Sequence, residues 1–130
     1  MATVYGSLGN VHKPFYSDKG NVCQVYATYT CSSTASGTEI YMIPLPKGAI
    51  VTDTFITHDA MGTSVTLSQG TSSSNTRYRA ATSASSAAVK VAGNTNLPDS
   101  IDSDNLWYVV AVGGATANGV IKACVTYIML

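Results

Sequence analysis

The stretch Ile40–Asp59, IYMIPLPKGAIVTDTFITHD, holds two apolar runs parted by two prolines and a Lys-Gly pair. Glu39 to Ile43 reads as one strand and Ala49 to His58 as another. Proline cannot donate to a sheet ladder, so Pro44 and Pro46 force an extended, unpaired segment. Gly48 then supplies the backbone freedom of a turn. The stretch shows no acid–base pair, metal cluster or phosphate loop. It is a corner, where the chain changes direction or crosses between two sheets.

The flanking segments carry the same signature. In VCQVYATYTC, Cys23, Val25, Ala27, Tyr29 and Cys31 fall on one parity, with Gln24, Thr28 and Thr30 on the other. SSTASGT breaks that strand with turn formers. After the corner, 59–63 is a turn, Val65 and Leu67 alternate with polar neighbours, and 70–75 is a polar loop. Residues 80–88, AATSASSAA, are the one place for a short helix, which Ala favours and Ser and Thr do not. Val89–Ala92 is a brief strand, followed by a loop through Pro98. LWYVVAV, Leu106–Val112, is apolar on both faces and is expected to be a central, doubly buried strand. Ile121, Ala123, Val125, Tyr127 and Met129 then alternate with Lys122, Cys124 and Thr126. The last two strands are expected to form a β-hairpin, with Leu130 tied into the sheet. Seven or eight short strands between Gly, Pro, Ser and Asn predict an all-β, single-domain sandwich or barrel over residues 21–130.

Charged residues make up 11% of the 130-residue chain, against roughly 25% in typical soluble domains. Seven basic residues balance seven acidic ones, leaving no field to steer the chain onto nucleic acid or an anionic membrane. A hydrophobic content of 45% argues against disorder. The surface is therefore rich in Ser, Thr, Asn and Gly, and a neutral surface resists association less than a charged one. That suits a protein that packs against neighbours, and equally an ordinary secreted β-protein. The N-terminus lacks a basic head followed by an apolar run, so no signal peptide is expected. No apolar run approaches the roughly eighteen residues of a spanning helix. Synthesis in a cytoplasm is the expectation. Cys23, Cys31 and Cys124 are an odd set that argues against a disulfide framework; they read as small buried apolar residues.

Catalytic chemistry is hard to assemble. His12 and His58 are the only histidines. Asp59, next to His58, would point to the opposite strand face, and no G-x-S-x-G elbow exists. Asp99, Asp102 and Asp104 lack the glycine and distant glutamate of a calcium loop and read as a solvated loop. No enzyme, metal or cofactor is expected. Arg77 and Arg79 flank Tyr78 and, with Lys90, make a basic spot too small for nucleic acid, though Arg and Tyr are favoured at protein interfaces. Trp107 reads as core. Eight tyrosines are a surplus that would favour an interface if several are exposed. Residues 1–20 are aperiodic yet contain Tyr5, Phe15 and Tyr16, and are expected to form an extended arm anchored on another surface. The candidate contact residues are thus Tyr5, Phe15, Tyr16, Arg77, Tyr78 and Arg79.

Three segments carry a resemblance: IPLPKGAIVTDTFITHDAMG; TSVTLSQGT followed by TRYRAATS; and DNLWYVVAVGGATANGVIKACVTYIML. From about Ile40 to Leu130 the chain resembles capsid decoration (cement) proteins of tailed bacteriophages. The resemblance implies a β-sandwich of jelly-roll type, trimeric, bound to the major capsid protein on the outside of an icosahedral head. It implies neither catalysis nor a cofactor, and it transfers no site residues. The alternative is a carbohydrate- or receptor-binding sandwich module, using Tyr78 with Asn75 or the Asp99–Asn105 loop.

Overall fold

Alternation along the strands sorts their side chains into one core and two outer faces. The computed structural model describes residues 3–6 and 22–129. Among them lie β1 (Thr3–Tyr5), β2 (Val22–Thr34), β3 (Glu39–Leu45), β4 (Ala49–His58) and β5 (Thr66–Thr71). There follow β6 (Ser74–Ser83), β7 (Ala88–Ala92), β8 (Asp99–Ser100), β9 (Leu106–Gly113) and β10 (Ala117–Met129). No helix occurs among the described residues.

One sheet has the order β1-β3-β9-β5-β6; the other is β2-β10-β4-β7, with β8 beside β4. They pack face to face as a sandwich around Ile40, Met42, Val51, Ile56, Tyr108, Val110, Ile121, Val125 and Tyr127. The pairings are nested. β5 pairs with β6, β4 with β7, β3 with β9 and β2 with β10, as if one long hairpin had been rolled up across both sheets. That nesting is the strand order of a jelly roll.

The proline corner crosses between the sheets, since β3 lies in one and β4 in the other. Gly48 takes φ 92°, a left-handed conformation open to glycine at little cost. Its N–H donates to the Ile101 carbonyl at 2.7 Å, and Ile101 N–H donates back to Ala49 O at 2.8 Å. The corner is therefore stitched to the loop that precedes β9.

Five expectations need correction. The segment after Ile43 is not unpaired: β3 runs on to Leu45, with Pro44 opposite Trp107 and Leu45 opposite Leu106. β9 and β10 do not form a hairpin, because they belong to different sheets. The chain crosses over at Gly113–Thr116, with Gly114 at φ 79°. Residues 80–88 form no helix: β6 runs to Ser83, with Thr82 opposite Leu67 and Ser83 opposite Thr66. Ala84 N–H then donates to Val65 O at 2.8 Å, so these backbone groups are committed to the sheet. The polar loop expected at 70–75 shrinks to a turn between β5 and β6. Trp107 is half-buried on the outer face of its sheet; the core takes its neighbours Tyr108, Val110 and Val112.

Candidate interaction surface

Tyr78 sits between Arg77 and Arg79 on β6, so strand parity turns it away from both and into the core. It is fully buried and stacks on Tyr108 with ring centroids 6.3 Å apart. Its hydroxyl donates to Asp99 Oδ2 at 2.6 Å. Arg77 grips the same carboxylate through Nε at 2.8 Å and Nη2 at 2.7 Å, a bidentate geometry of high directional specificity. The hydrogen bond from Arg77 holds the Asp99 carboxyl below its ordinary range, against the opposing effect of burial. Burial, and then the hydrogen bond to Asp99, push the Tyr78 hydroxyl far above its usual value. Tyr78 therefore has no surface to offer a partner, contrary to its selection as a contact residue. Arg77 keeps 41% of its side chain exposed.

This side of the sandwich is laced shut. Arg79 Nη1 donates to Ala92 O at 2.8 Å, joining β6 to β7 across the gap between the sheets. Gln69 Nε2 donates to Val91 O at 2.8 Å, while its Oε1 accepts from Thr54 at 3.2 Å and Tyr108 at 2.6 Å. Asn94 and Thr95 N–H groups donate to Tyr78 O, and Asn96 donates to Arg77 O. Arg77 thus commits Nε and Nη2 within the chain and Arg79 its Nη1, while Arg79 Nε is buried without a hydrogen-bond partner. Lys90 stands apart, with its ammonium 5.1 Å above the Phe55 ring on the outside of the second sheet.

The remaining sequence candidates do not converge. Asp99 turns inward while Asp102 and Asp104 are exposed, and no group of His, Cys, Asp and Glu able to hold a metal occurs among the described residues. His58 is buried, with Nδ1 2.7 Å from the Asp59 carbonyl. The Asp59 carboxylate instead accepts from Val120 N–H at 2.9 Å. The three cysteines form no disulfide. Cys124 lies on the outer face of the second sheet, where burial raises its thiol pKa.

The opposite side, along β1 and β2, differs in character. β1 adds in parallel to the start of β3, with Tyr5 opposite Tyr41, and Gly6 N–H donates to Tyr41 O at 2.8 Å. The Tyr5 ring meets Tyr41 and Trp107 edge-on, both at 5.3 Å, a favourable aromatic geometry. Tyr5 remains 50% exposed, and on β2 Val22 is 64% and Tyr26 70% exposed. Tyr26 lies across from Cys124, which lies across from Phe55. Together with Gln24, Thr57 and Lys122 they line a shallow groove. The other large exposed apolar side chain among the described residues, Val89, stands on β7, where two residues oppose one of β4.

Sequence reasoning missed Tyr26. The available signal was a lone aromatic on the polar parity of β2, between Gln24 and Thr28. Phe15 and Tyr16 lie outside the described residues.

The chain is similar over 94% of its length to a chain described as the cyanophage Pam1 capsid asymmetric unit, covering 94% of that chain at 26% identity and a TM-score of 0.77. A chain of the capsid of Ralstonia phage GP4 matches over 99% of both chains at 17% identity and a TM-score of 0.76, which bears on fold alone. The fold is one shared with chains of two phage capsids. No family model and no curated protein matches the chain.

Proposed function

We propose that the protein is a structural component of a tailed-phage virion, made in the host cytoplasm and bound to the outside of the icosahedral capsid as a decoration (cement) protein. The observation that carries this reading is the match to the Pam1 capsid chain, which covers 94% of both chains. The likeness is therefore to a chain of similar size, rather than to one domain of a much larger one. A hydrogen-bonded sandwich with little net charge suits the role. Such a body does not deform easily, and its apolar side chains can pack on a shell without strong charge repulsion. Its partners in this reading are the major capsid protein and further copies of itself, most simply a trimer. Its action is adhesive, holding neighbouring capsomers against internal pressure, with no chemical step. Of the two sites of the carbohydrate-binding alternative, the Asp99–Asn105 loop lines a small polar pocket with Thr71, Ser73 and Arg77, whereas the Tyr78–Asn75 pair is not available. Tyr78 is buried, and Asn75 Nδ2 is bound to Glu39 at 3.0 Å.

The test is addition of purified protein to capsids that lack it, followed by co-sedimentation and electron cryomicroscopy. Saturable binding to the outer surface, with a raised temperature of genome release, is expected. Failure to bind at micromolar concentration, or density inside the shell, overturns the reading.

A further inference from the structure

The two open sides of the sandwich are unequal. The β6–β7 side is closed by side-chain hydrogen bonds between the sheets. The β1–β2 side carries three of the four exposed large apolar side chains among the described residues, Tyr5, Val22 and Tyr26. Among the described residues β2 is also an edge strand, thirteen residues long and paired within its sheet only to β10. A long edge beside apolar side chains is a template for association.

Among the described strands β1 alone pairs in parallel. It has three paired positions, all with β3, and its Tyr5 ring rests on Tyr41 and Trp107. None of these contacts is local in sequence, so the same slot on a second copy offers the same contacts. Gly6 marks where the strand leaves the slot. A Cβ there would meet Met42 Sδ at 3.1 Å and the Thr28 carbonyl oxygen at 3.3 Å, so Gly6 lies over the seam between β3 and β2. From the level of Thr28 to Val22 is six residues along β2, about 20 Å. Residues 7–21 join the two points, and fifteen residues of chain can span up to about 50 Å. The connection is thus much longer than its own copy requires.

We propose that copies of this chain associate along the β1–β2 side and exchange β1, so that Thr3–Gly6 of one copy adds to the β3 edge of the next. Tyr5 then seats on Tyr41 and Trp107 of that neighbour, and Val22 and Tyr26 are covered by the same contact. Exchange of an identical strand is a low-cost route to a symmetric oligomer, because each slot is filled by an equivalent segment. The proposal rests on the self-association included in the proposed function, and it names the surface and the segment.

Thr3 and Glu39 are direct partners in the β1–β3 pair, which makes them a reporter. A chain carrying Thr3→Cys and a differently tagged chain carrying Glu39→Cys are co-expressed, mildly oxidised and run without reductant, with the parent chain controlling for native thiols. Exchange predicts a covalent product containing one chain of each kind, and a ladder of linked species from the chain carrying both substitutions. If the doubly substituted chain closes only on itself and the mixture gives no mixed product, the proposal is overturned. A multimer that shows this result keeps the capsid reading intact, since particle binding is measured separately. Tyr5→Ala gives an independent readout without new cysteines. It should weaken self-association at least tenfold in sedimentation equilibrium while leaving the far-ultraviolet circular dichroism unchanged; unaltered association counts against exchange.

Discussion

Asp99 is where single residues matter most. Two carboxylate oxygens accept three hydrogen bonds, two from Arg77 and one from Tyr78. Asp99 also pairs β8 to β4 opposite Val51. Removing the carboxylate leaves the Tyr78 hydroxyl buried without its acceptor. Asp99→Ala should therefore cost about 2–3 kcal/mol in denaturant melts, with partial exposure of Arg77 keeping the figure modest. The pH dependence follows from the direction of the shift. The folded-state pKa of Asp99 is depressed, so its contribution is complete above the unfolded value of about 3.9 and is lost as pH falls through the lower folded value. Melts from pH 6 to pH 2 should show an acid limb that is shallower in Asp99→Asn. Equal limbs in the two proteins would mean that the pair adds nothing to folding. The inward turn of Tyr78 was legible in NTRYRAA, because a residue between two outward arginines on a strand must face the other way. Its partner was not legible, since nothing local links Asp99 to β6.

At the scale of elements, alternation located the strands and their buried faces, but pairing partners do not show in a pattern of period two. β9 and β10 are neighbours in sequence and lie in opposite sheets, and residues that look helical by composition were claimed by the ladder to β5. Parity itself is testable on β10. Val125 is fully buried, whereas Thr126 is half-buried on the outer face. Val125→Ala should cost about 1–3 kcal/mol by leaving a void, and Thr126→Ala well under that. Equal, small losses would overturn the assigned faces. The β5–β6 pair offers a second test. Its register jumps between Gln69 opposite Arg79 and Thr71 opposite Ser74, and the intervening backbone folds over Gly70. A Cβ at Gly70 would collide with the Ser74 carbonyl oxygen and lie 2.7 Å from Arg77 N. Because the obstacle is backbone, Gly70→Ala should destabilise by roughly 1–3 kcal/mol or shift the hairpin register, read by melts and by amide exchange at Asn75–Arg77.

For the whole molecule, neutrality and a hydroxyl-rich surface pointed to packing against neighbours, and the fold shared with two capsid chains gives that expectation a setting. Which side does the packing could not be read from composition. It depends on one flank being closed by hydrogen bonds while the other keeps its tyrosines in water, a difference created only by the fold. Deleting residues 1–16 removes β1, which lies at the edge of its sheet, and the Tyr5 ring. The melting temperature should stay within a few degrees of the parent, while light scattering shows smaller species and binding to undecorated particles weakens. A truncated chain that does not fold would make the segment part of the core.

Among the described residues, β2 has no partner within its sheet until residues 117–129 arrive beside it. Contacts such as Tyr127 with Cys23 and Ile128 with Val22 join positions separated by most of the chain. The entropy of closing so large a loop is lost before any of those contacts forms, which places folding on a scale of roughly milliseconds to seconds. During that interval the β2 edge, with Val22 and Tyr26, is open to other incomplete chains. Trp107 is the only tryptophan and reports directly on the first sheet. Stopped-flow refolding followed through its fluorescence should give a rate independent of protein concentration and a native yield that falls as concentration rises. A yield constant across that range would mean that the incomplete sheet is protected, and that crowding during synthesis is no hazard to this chain.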